Sequence, residues 1–178
     1  MVNNYNKYSQ MSQMVYNIVE HLMLNNENIW KVLKYPDVDC LNKPNLTLAE
    51  KAALIYKGQS DSTPYRLFMQ NFSDDAFDQM QTRLHIFIDT VKPKTYVWGT
   101  VDIMFEIASH NKIIYMNEYL NRNEYVMQQL IETLNGQNVK GLGNLFFDYD
   151  KQYTNVGKLS YFNKYYQGFR LVMSSHST

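Results

Sequence analysis

The sequence predicts one α+β domain in which helices pack on one face of a single antiparallel sheet. Apolar residues recur at helical spacing in the N-terminal third and again after residue 115. Between these regions, residues 97–107 alternate apolar and polar side chains, as in a strand with one packed face. The element order is helices, three strands, a helix and two strands, which indicates one sheet covered by helices. A chain of 178 residues, 45% hydrophobic and 19% charged, is long and apolar enough to fold.

The first third of the chain predicts helices after a polar start. Residues 1–9 are polar and Asn-rich and are expected to form a flexible segment, so the single domain spans residues 10–178. Apolar residues spaced three and four apart predict a helix over residues 10–24. Asn26 can cap a short second helix, which has to end before Pro36 because proline disfavours a helical residue ahead of it.

A capping box predicts the start of a third helix. The Thr47 hydroxyl and the Glu50 carboxylate can satisfy the free amide groups of a helix start. Gly58 is a good residue for the left-handed position that ends a helix, so this helix is expected to end there. A short strand is predicted over residues 66–69.

Two longer strands are predicted to form a hairpin. Residues 83–88 alternate in character, and Val101, Ile103 and Phe105 share one parity of the next strand. The loop between the two strands is expected to consist of Lys92, Pro93 and Lys94.

The second half of the chain predicts a helix and two more strands. An apolar stripe predicts a long helix over residues 115–134, which Asn135 and Gly136 end. Strands are predicted over residues 142–147 and 169–173. Residues 148–164 between them are polar and aromatic without periodicity, and they predict a loop.

Composition excludes several classes of protein. The 17 basic and 17 acidic residues give no net charge, whereas a dedicated DNA-binding protein usually carries a basic excess. The one cysteine, Cys40, rules out an intrachain disulfide framework and is expected to be a packed or exposed thiol. We expect no signal peptide and no membrane span, because the N-terminus is polar and no apolar run is long enough.

The residues that could carry chemistry favour structural roles. Histidines occur at His21, His85, His110 and His176, and none has a second ligand at a recognised zinc spacing. Acidic residues cluster at Asp74, Asp75 and Asp78, where carboxylates are expected to favour a helix start over a cation. Within one strand, Glu106 and His110 would lie about 13 Å apart, which is too far for direct pairing.

Two short motifs also fail as ligand sites. Residues 148–152 begin like a calcium loop, but Tyr153 and Leu159 stand where its glycine and bidentate glutamate belong. Gly141 and Gly143 precede a strand, whereas a dinucleotide fingerprint follows one, so they predict a turn. We therefore predict no catalytic residue, no cofactor and no metal, with a small enzyme as an alternative.

Three segments, taken together, resemble structural proteins found at the neck of tailed bacteriophages, between head and tail. They are residues 29–35 (IWKVLKY), 101–111 (VDIMFEIASHN) and 134–136 continuing to 141–147 (GLGNLFF). The layout over residues 15–175 is similar to that of the tail-terminator type. The segments 36–64 and 148–164 are longer than a compact terminator needs, which leaves a head-closure or adaptor ring protein as an alternative. A small phage-encoded enzyme or host-modulating protein is the further alternative.

The resemblance implies a ring, commonly hexameric, that caps the tail tube and meets the connector. Its partners would be other copies of this chain and the neighbouring tail-tube and connector proteins. Genomic DNA would pass nearby without being a specific ligand, and no membrane would be involved. The protein would belong to the virion and lie in the host cytoplasm during assembly. The residues expected at its protein interfaces are Lys92, Pro93, Lys94, Tyr149, Tyr153 and Tyr161.

Overall fold

The computed structural model describes residues 11–59, 61–71, 79–93, 99–147, 156–159 and 164–176. Several residues singled out above lie outside these ranges. They are Asp74, Asp75, Asp78, Lys94, Tyr149, Tyr153 and Tyr161.

Within the described ranges, four α-helices form where the spacing of apolar residues and the capping residues favour them. They are α1 (Met11–Asn25), α2 (Glu27–Lys34), α3 (Leu48–Ala53) and α4 (Arg122–Leu134). The Asn26 side chain accepts a hydrogen bond from the Ile29 amide at 2.9 Å, and this bond caps α2 as predicted. The capping box of Thr47 and Glu50 is also present at the start of α3.

In the described part of the chain, seven strands form one curled sheet. They are β1 (Leu67–Phe68), β2 (Thr82–Pro93), β3 (Gly99–His110), β4 (Asn138–Val139), β5 (Gly143–Phe146), β6 (Val156–Lys158) and β7 (Tyr166–His176). The strand order is β1-β2-β3-β7-β5-β4, and β6 pairs with β7 beside β5. The α+β class is therefore confirmed, with β3 at the centre of the sheet.

The main hydrophobic core lies between one face of this sheet and the helices. On β3 the core residues are of one parity, Val101, Ile103, Phe105 and Ile107, as the alternating pattern predicts. The same core contains apolar residues of α1, α2 and α4. Cross-strand neighbours on β2 and β7 extend this apolar face, so the sheet packs against helices on one side.

One pairing departs from the predicted antiparallel sheet. β1 runs parallel to β2, with Leu67 opposite Leu84 and Phe68 opposite His85. Residues 69–81 separate the two strands in the chain, which is long enough for the crossover connection that a parallel pair needs and a tight hairpin cannot supply.

Two predicted helix boundaries are wrong, the end of the third helix and the start of the fourth. The third helix ends at Ala53 instead of Gly58, because Ile55 pairs with Leu67 and draws the chain into the sheet. The predicted helix over residues 115–134 begins only at Arg122. The Asn121 side chain accepts hydrogen bonds from the Asn123 and Glu124 amides and so fixes that start.

The strands also differ from the prediction: one is longer than expected, and two short ones were not predicted. β2 continues through Lys92 and Pro93, so these two residues belong to a strand and not to the hairpin loop. The short strands β4 and β6 were missed, and β6 lies inside the segment 148–164 that was predicted as a loop. The turn at Asn135 and Gly136 is confirmed, with Gly136 in the left-handed region at φ 72°.

Candidate functional site

The side chain of Arg122, at the start of α4, is fully buried. Its guanidinium donates to main-chain carbonyl groups and also interacts with the Cys40 side chain. Nε donates to Ile113 at 2.9 Å, Nη1 to Val32 at 3.1 Å and Tyr35 at 2.8 Å, and Nη2 to Pro36 at 3.1 Å and Asp37 at 2.9 Å.

These five bonds use all five donors that a guanidinium has. Four of the carbonyl groups belong to the end of α2 and the residues after it, where a helix leaves carbonyl groups without intrahelical partners. A cation there also interacts favourably with the helix dipole. Burial lowers the pKa of Arg122, but a guanidinium remains protonated in proteins. Arg122 therefore fixes the chain after α2 against the chain before α4.

The segment before α4 is held in a compact loop, which we call the Tyr119 loop (residues 114–121). The Met116 amide donates to the Leu120 carbonyl at 2.8 Å, and the Asn117 amide donates to Val38 at 3.0 Å. The buried Cys40 thiol lies 3.2 Å from the Met116 sulfur, and burial raises the pKa of that thiol. Main-chain bonds and sulfur packing thus add to the Arg122 bonds.

Tyr119 at the tip of this loop has an unusual backbone and an exposed side chain. Its φ is 67°, and it is the one non-glycine with positive φ in the described part of the chain. Its side chain is 90% exposed. A residue with a Cβ in the left-handed region costs about 1–2 kcal/mol. Because the ring contacts little of the protein, packing within the chain does not offset that cost.

Other apolar side chains are exposed at the same end of the sheet, beyond the last residues of β3. We call this set the β3-end patch: Val38, Met80, Tyr115, Tyr119, Leu120 and Tyr165. It contains six of the ten large apolar side chains that are exposed in the described part of the chain. The Asn111 amide donates to Tyr165 at 2.8 Å, and the Tyr166 hydroxyl donates to Gln79 at 2.6 Å. These bonds place residues around 80 and 165 beside the chain that leaves β3.

His110, at the end of β3, supports the patch. Its Nδ1 accepts a hydrogen bond from the Lys112 amide at 3.2 Å and so caps the turn that follows the strand. The imidazole centroid lies 6.2 Å from the ring of Tyr165 and 5.4 Å from that of Tyr166. His110 therefore packs near two aromatic rings at this end of the sheet.

A buried polar network fixes the start of α4 to the sheet. The Ser109 hydroxyl donates to Asn123 Oδ1 at 2.6 Å, and Asn123 Nδ2 donates to the Gln167 carbonyl at 2.8 Å. Because the Ser109 proton is used in this way, Thr82 must donate to Ser109 across their 3.0 Å contact. The network joins α4 to β2, β3 and β7, so the β3-end patch stands on a rigid base.

The face of the sheet opposite the helices carries a second candidate, a row of polar side chains. His85 of β2 lies opposite Glu106 of β3, which lies opposite Arg170 of β7. Glu106 is only 6% exposed. Burial raises the pKa of its carboxyl to about 7, with Asp89 adding to the shift and Arg170 opposing it. This carboxyl is therefore partly protonated near neutral pH.

The pKa of His85 is shifted in the opposite direction, below its usual value. Its ring stacks on Phe68 with centroids 4.7 Å apart, and Nδ1 donates to the Gln70 carbonyl at 3.1 Å. Burial lowers the pKa of His85 to about 4, and nearby Arg83 lowers it further while the bond to Gln70 opposes the shift. His85 is thus neutral at pH 7 and packs inside the protein.

Of the six residues predicted at protein interfaces, only Lys92 and Pro93 lie within the described ranges. Lys92 forms an ion pair with Asp102 at 3.1 Å near the end of β2, and Asp102 also accepts from the Ser174 hydroxyl at 2.7 Å. Pro93 ends the same strand. Lys92 is therefore bound within its own chain.

Metal and membrane sites are not apparent in the described ranges. No group of three or more His, Cys, Asp and Glu side chains within them is arranged to hold a metal ion. No helix in those ranges is both long and apolar enough to cross a membrane.

The fold and the β3-end patch define a class: a small α+β protein whose rigid loops present apolar side chains at one end of a sheet. A family model matches residues 26–175, from the cap of α2 almost to the end of β7. That family is YomW, and the chain belongs to it. The family is phage-derived, which confirms the expectation of a phage protein. No curated protein matches the chain.

Proposed function

We propose that this protein is a structural component of the phage particle and acts by binding proteins. In its specific form, the proposal is a tail-terminator-like subunit at the head–tail neck. Copies would form a ring, expected to be hexameric, that contacts tail-tube and connector proteins. Its place would be the virion, after assembly in the host cytoplasm.

The observation that carries this proposal is the β3-end patch. Large apolar side chains clustered at the surface of a protein mark interaction sites. Tyrosine is enriched at the centre of protein interfaces, and this patch contains three tyrosines. Because Arg122 and the Ser109 network hold the loops in place, a partner would lose little free energy to their ordering.

Two further facts support a role in the particle. The chain belongs to a phage-derived family, and its layout resembles neck proteins. The absence of net charge fits a protein that lies beside packaged DNA without binding it specifically.

Quantitative mass spectrometry of purified particles tests this proposal. We expect several copies per particle, in a fixed ratio to the portal or tail-tube protein. Phage that lack the protein should accumulate heads and tails that do not join. A protein that is missing from particles, or present once per particle, would overturn the proposal.

A chemical role is the second candidate, and Glu106 is the observation that favours it. A carboxyl with a pKa of about 7 can accept and donate a proton near neutral pH. A phage that carries Glu106→Gln distinguishes the structural function from the chemical one. A structural protein should assemble and infect normally with this substitution, whereas an enzyme that needs the proton should assemble but fail in infection. A His110→Gln phage provides a second comparison on the same sheet.

A further inference from the structure

Arg170 has two different neighbours on the face of the sheet opposite the helices. It lies on β7, directly opposite Glu106 of β3 on one side and Gly157 of β6 on the other. Residues directly opposite on antiparallel strands have Cβ atoms about 4.5–5.5 Å apart, so a long side chain can reach either neighbour. Arg170 is exposed, whereas Glu106 is only 6% exposed. A surface cation therefore lies beside a buried carboxyl.

The Arg170 side chain is placed on the β6 side. A Cβ atom at Gly157 would lie 3.1 Å from Arg170 Nε and 3.7 Å from its Cγ, so this side chain crosses the main chain of Gly157. The Glu106 carboxyl has neither a hydrogen bond nor an ion pair with any described residue, Arg170 included. Arg170 and Glu106 are therefore near enough to pair, but they are not paired.

The protonation of Glu106 accounts for this separation. Burial raises the pKa of its carboxyl to about 7, with Arg170 opposing the shift and Asp89 adding to it. A neutral carboxyl attracts a guanidinium only weakly, so the guanidinium stays in water over β6. Once the carboxyl loses its proton, a buried charge without a partner is costly. A guanidinium supplies two donors that match a carboxylate, and pairing with Arg170 would then be favoured.

The other charged and titratable groups around Glu106 cannot take the place of Arg170. Those described on β2, β3 and β6 are Arg83, His85, Asp89, Asp102 and Lys158. Arg83 is fully buried, and Lys158 points to the other face because side chains alternate along a strand. His85 is neutral near pH 7, since burial lowers its pKa to about 4. Among these described residues, Arg170 is therefore the cation that can turn toward Glu106.

We propose that Arg170 and Glu106 form a pH-sensitive switch, in which the Arg170 side chain lies over Gly157 of β6 while Glu106 is neutral and turns to pair with Glu106 when the carboxyl is ionised. β6 has three residues, and in the described ranges it joins the sheet through β7 alone. Movement of Arg170 therefore uncovers the main chain of Gly157 at this edge. The switch rests on the contacts of this face and is independent of the proposed role in the particle.

Nuclear magnetic resonance of the purified protein, from about pH 5 to about pH 8, tests the switch. We expect the Arg170 Nε and Gly157 amide signals to shift along the same curve as the Glu106 carboxyl, with a midpoint at about pH 7. The Arg66 Nε signal is the control and should not shift, because the Arg66 guanidinium is bound to two nearby carbonyl groups. In the Glu106→Gln protein, the Arg170 and Gly157 signals should lose this pH dependence. Signals that shift equally in the wild type and in this variant would overturn the proposal.

Gly157→Ala tests the direction of the coupling. The added methyl group would lie 3.1 Å from Arg170 Nε and should displace the side chain from β6 toward Glu106. We expect the pKa of Glu106 to fall by about half a unit or more in this variant. Arg170→Met should raise the pKa of Glu106, because the charge that opposes the shift is removed. If Arg170 only packs on β6, Gly157→Ala leaves the pKa of Glu106 unchanged, and that result would overturn the switch.

Discussion

The base and the tip of the Tyr119 loop lie three residues apart and relate to the fold in opposite ways. At the base, Arg122 is fully buried, and each of its donors has a carbonyl partner. At the tip, Tyr119 is 90% exposed and holds a backbone conformation that side chains disfavour. The base stabilises the fold, and the tip costs stability.

This difference indicates what each part is for. A buried charge that is fully hydrogen-bonded specifies one arrangement of the surrounding chain. An exposed ring on a strained backbone adds nothing to that arrangement, and such strain concentrates at functional positions. The comparison therefore favours a loop that is fixed from below in order to present Tyr119 to a partner.

The largest expected effect on stability is at Arg122, at the base of the Tyr119 loop. Arg122→Met keeps the length of the side chain but leaves five carbonyl groups without their donors. We expect the free energy of unfolding to fall by about 3 kcal/mol or more, as measured by urea denaturation. Arg66→Met is the matched control, because Arg66 donates to only two carbonyl groups beside it, and it should cost about 1 kcal/mol. A loss at Arg122 no larger than at Arg66 would contradict the role of the base.

The polar row on the opposite face should control the pH dependence of stability. The folded pKa of Glu106 is raised to about 7, so its contribution to stability is present below the unfolded pKa and is lost as pH rises through 7. Glu106→Gln should therefore unfold with a free energy higher than that of the wild type by about 1–3 kcal/mol at pH 8. The free energies of unfolding of the two proteins should become equal near pH 4. A difference that stays the same between pH 4 and pH 8 would contradict the raised pKa of Glu106.

His85 should change the stability of the fold in the opposite direction, over a lower pH range. Its folded pKa is depressed to about 4, so its contribution is present above the unfolded pKa of 6.5 and is lost as pH falls through 4. In the Glu106→Gln protein, stability should decrease as pH falls from 6.5 to 4. Adding His85→Gln should flatten that decrease, and denaturation curves at several pH values measure it.

A smaller effect is expected where the loop meets α4. Asn121→Ala removes the side chain that caps the helix, and it should lower the free energy of unfolding by about 1 kcal/mol. It should also loosen the loop, seen as faster amide exchange at Asn117 and Leu120 than at residues of α2. Slow exchange in the variant would show that the cap does not hold the loop.

Local patterns predicted the elements whose stability depends on near neighbours. The spacing of apolar residues located α1, the Asn26 cap located α2, and alternation identified the core face of β3. The Tyr119 loop was missed because Leu120 continues the apolar stripe of α4 at helical spacing. Asn121, a good capping residue two positions after Tyr119, was the local signal that could have corrected this.

Contacts between distant residues could not be read from the sequence. Four of the carbonyl groups that bind Arg122 come from residues 32–37, more than 80 positions earlier in the chain. The pairing of His85 with Glu106 depends on the register of β2 against β3, which only the folded sheet defines. Spacing along one strand compares Glu106 only with His110, about 13 Å away, whereas the folded sheet places His85 opposite Glu106.

The most direct test of the comparison is the substitution Tyr119→Gly, measured for stability and for incorporation into particles. Glycine adopts the left-handed backbone without strain, so the purified variant should be as stable as the wild type or more stable by up to about 1 kcal/mol. In phage that depend on the variant, its incorporation into particles should fall by about tenfold or more. A variant that is stable and fully incorporated would contradict the account, and so would one that loses several kcal/mol of stability.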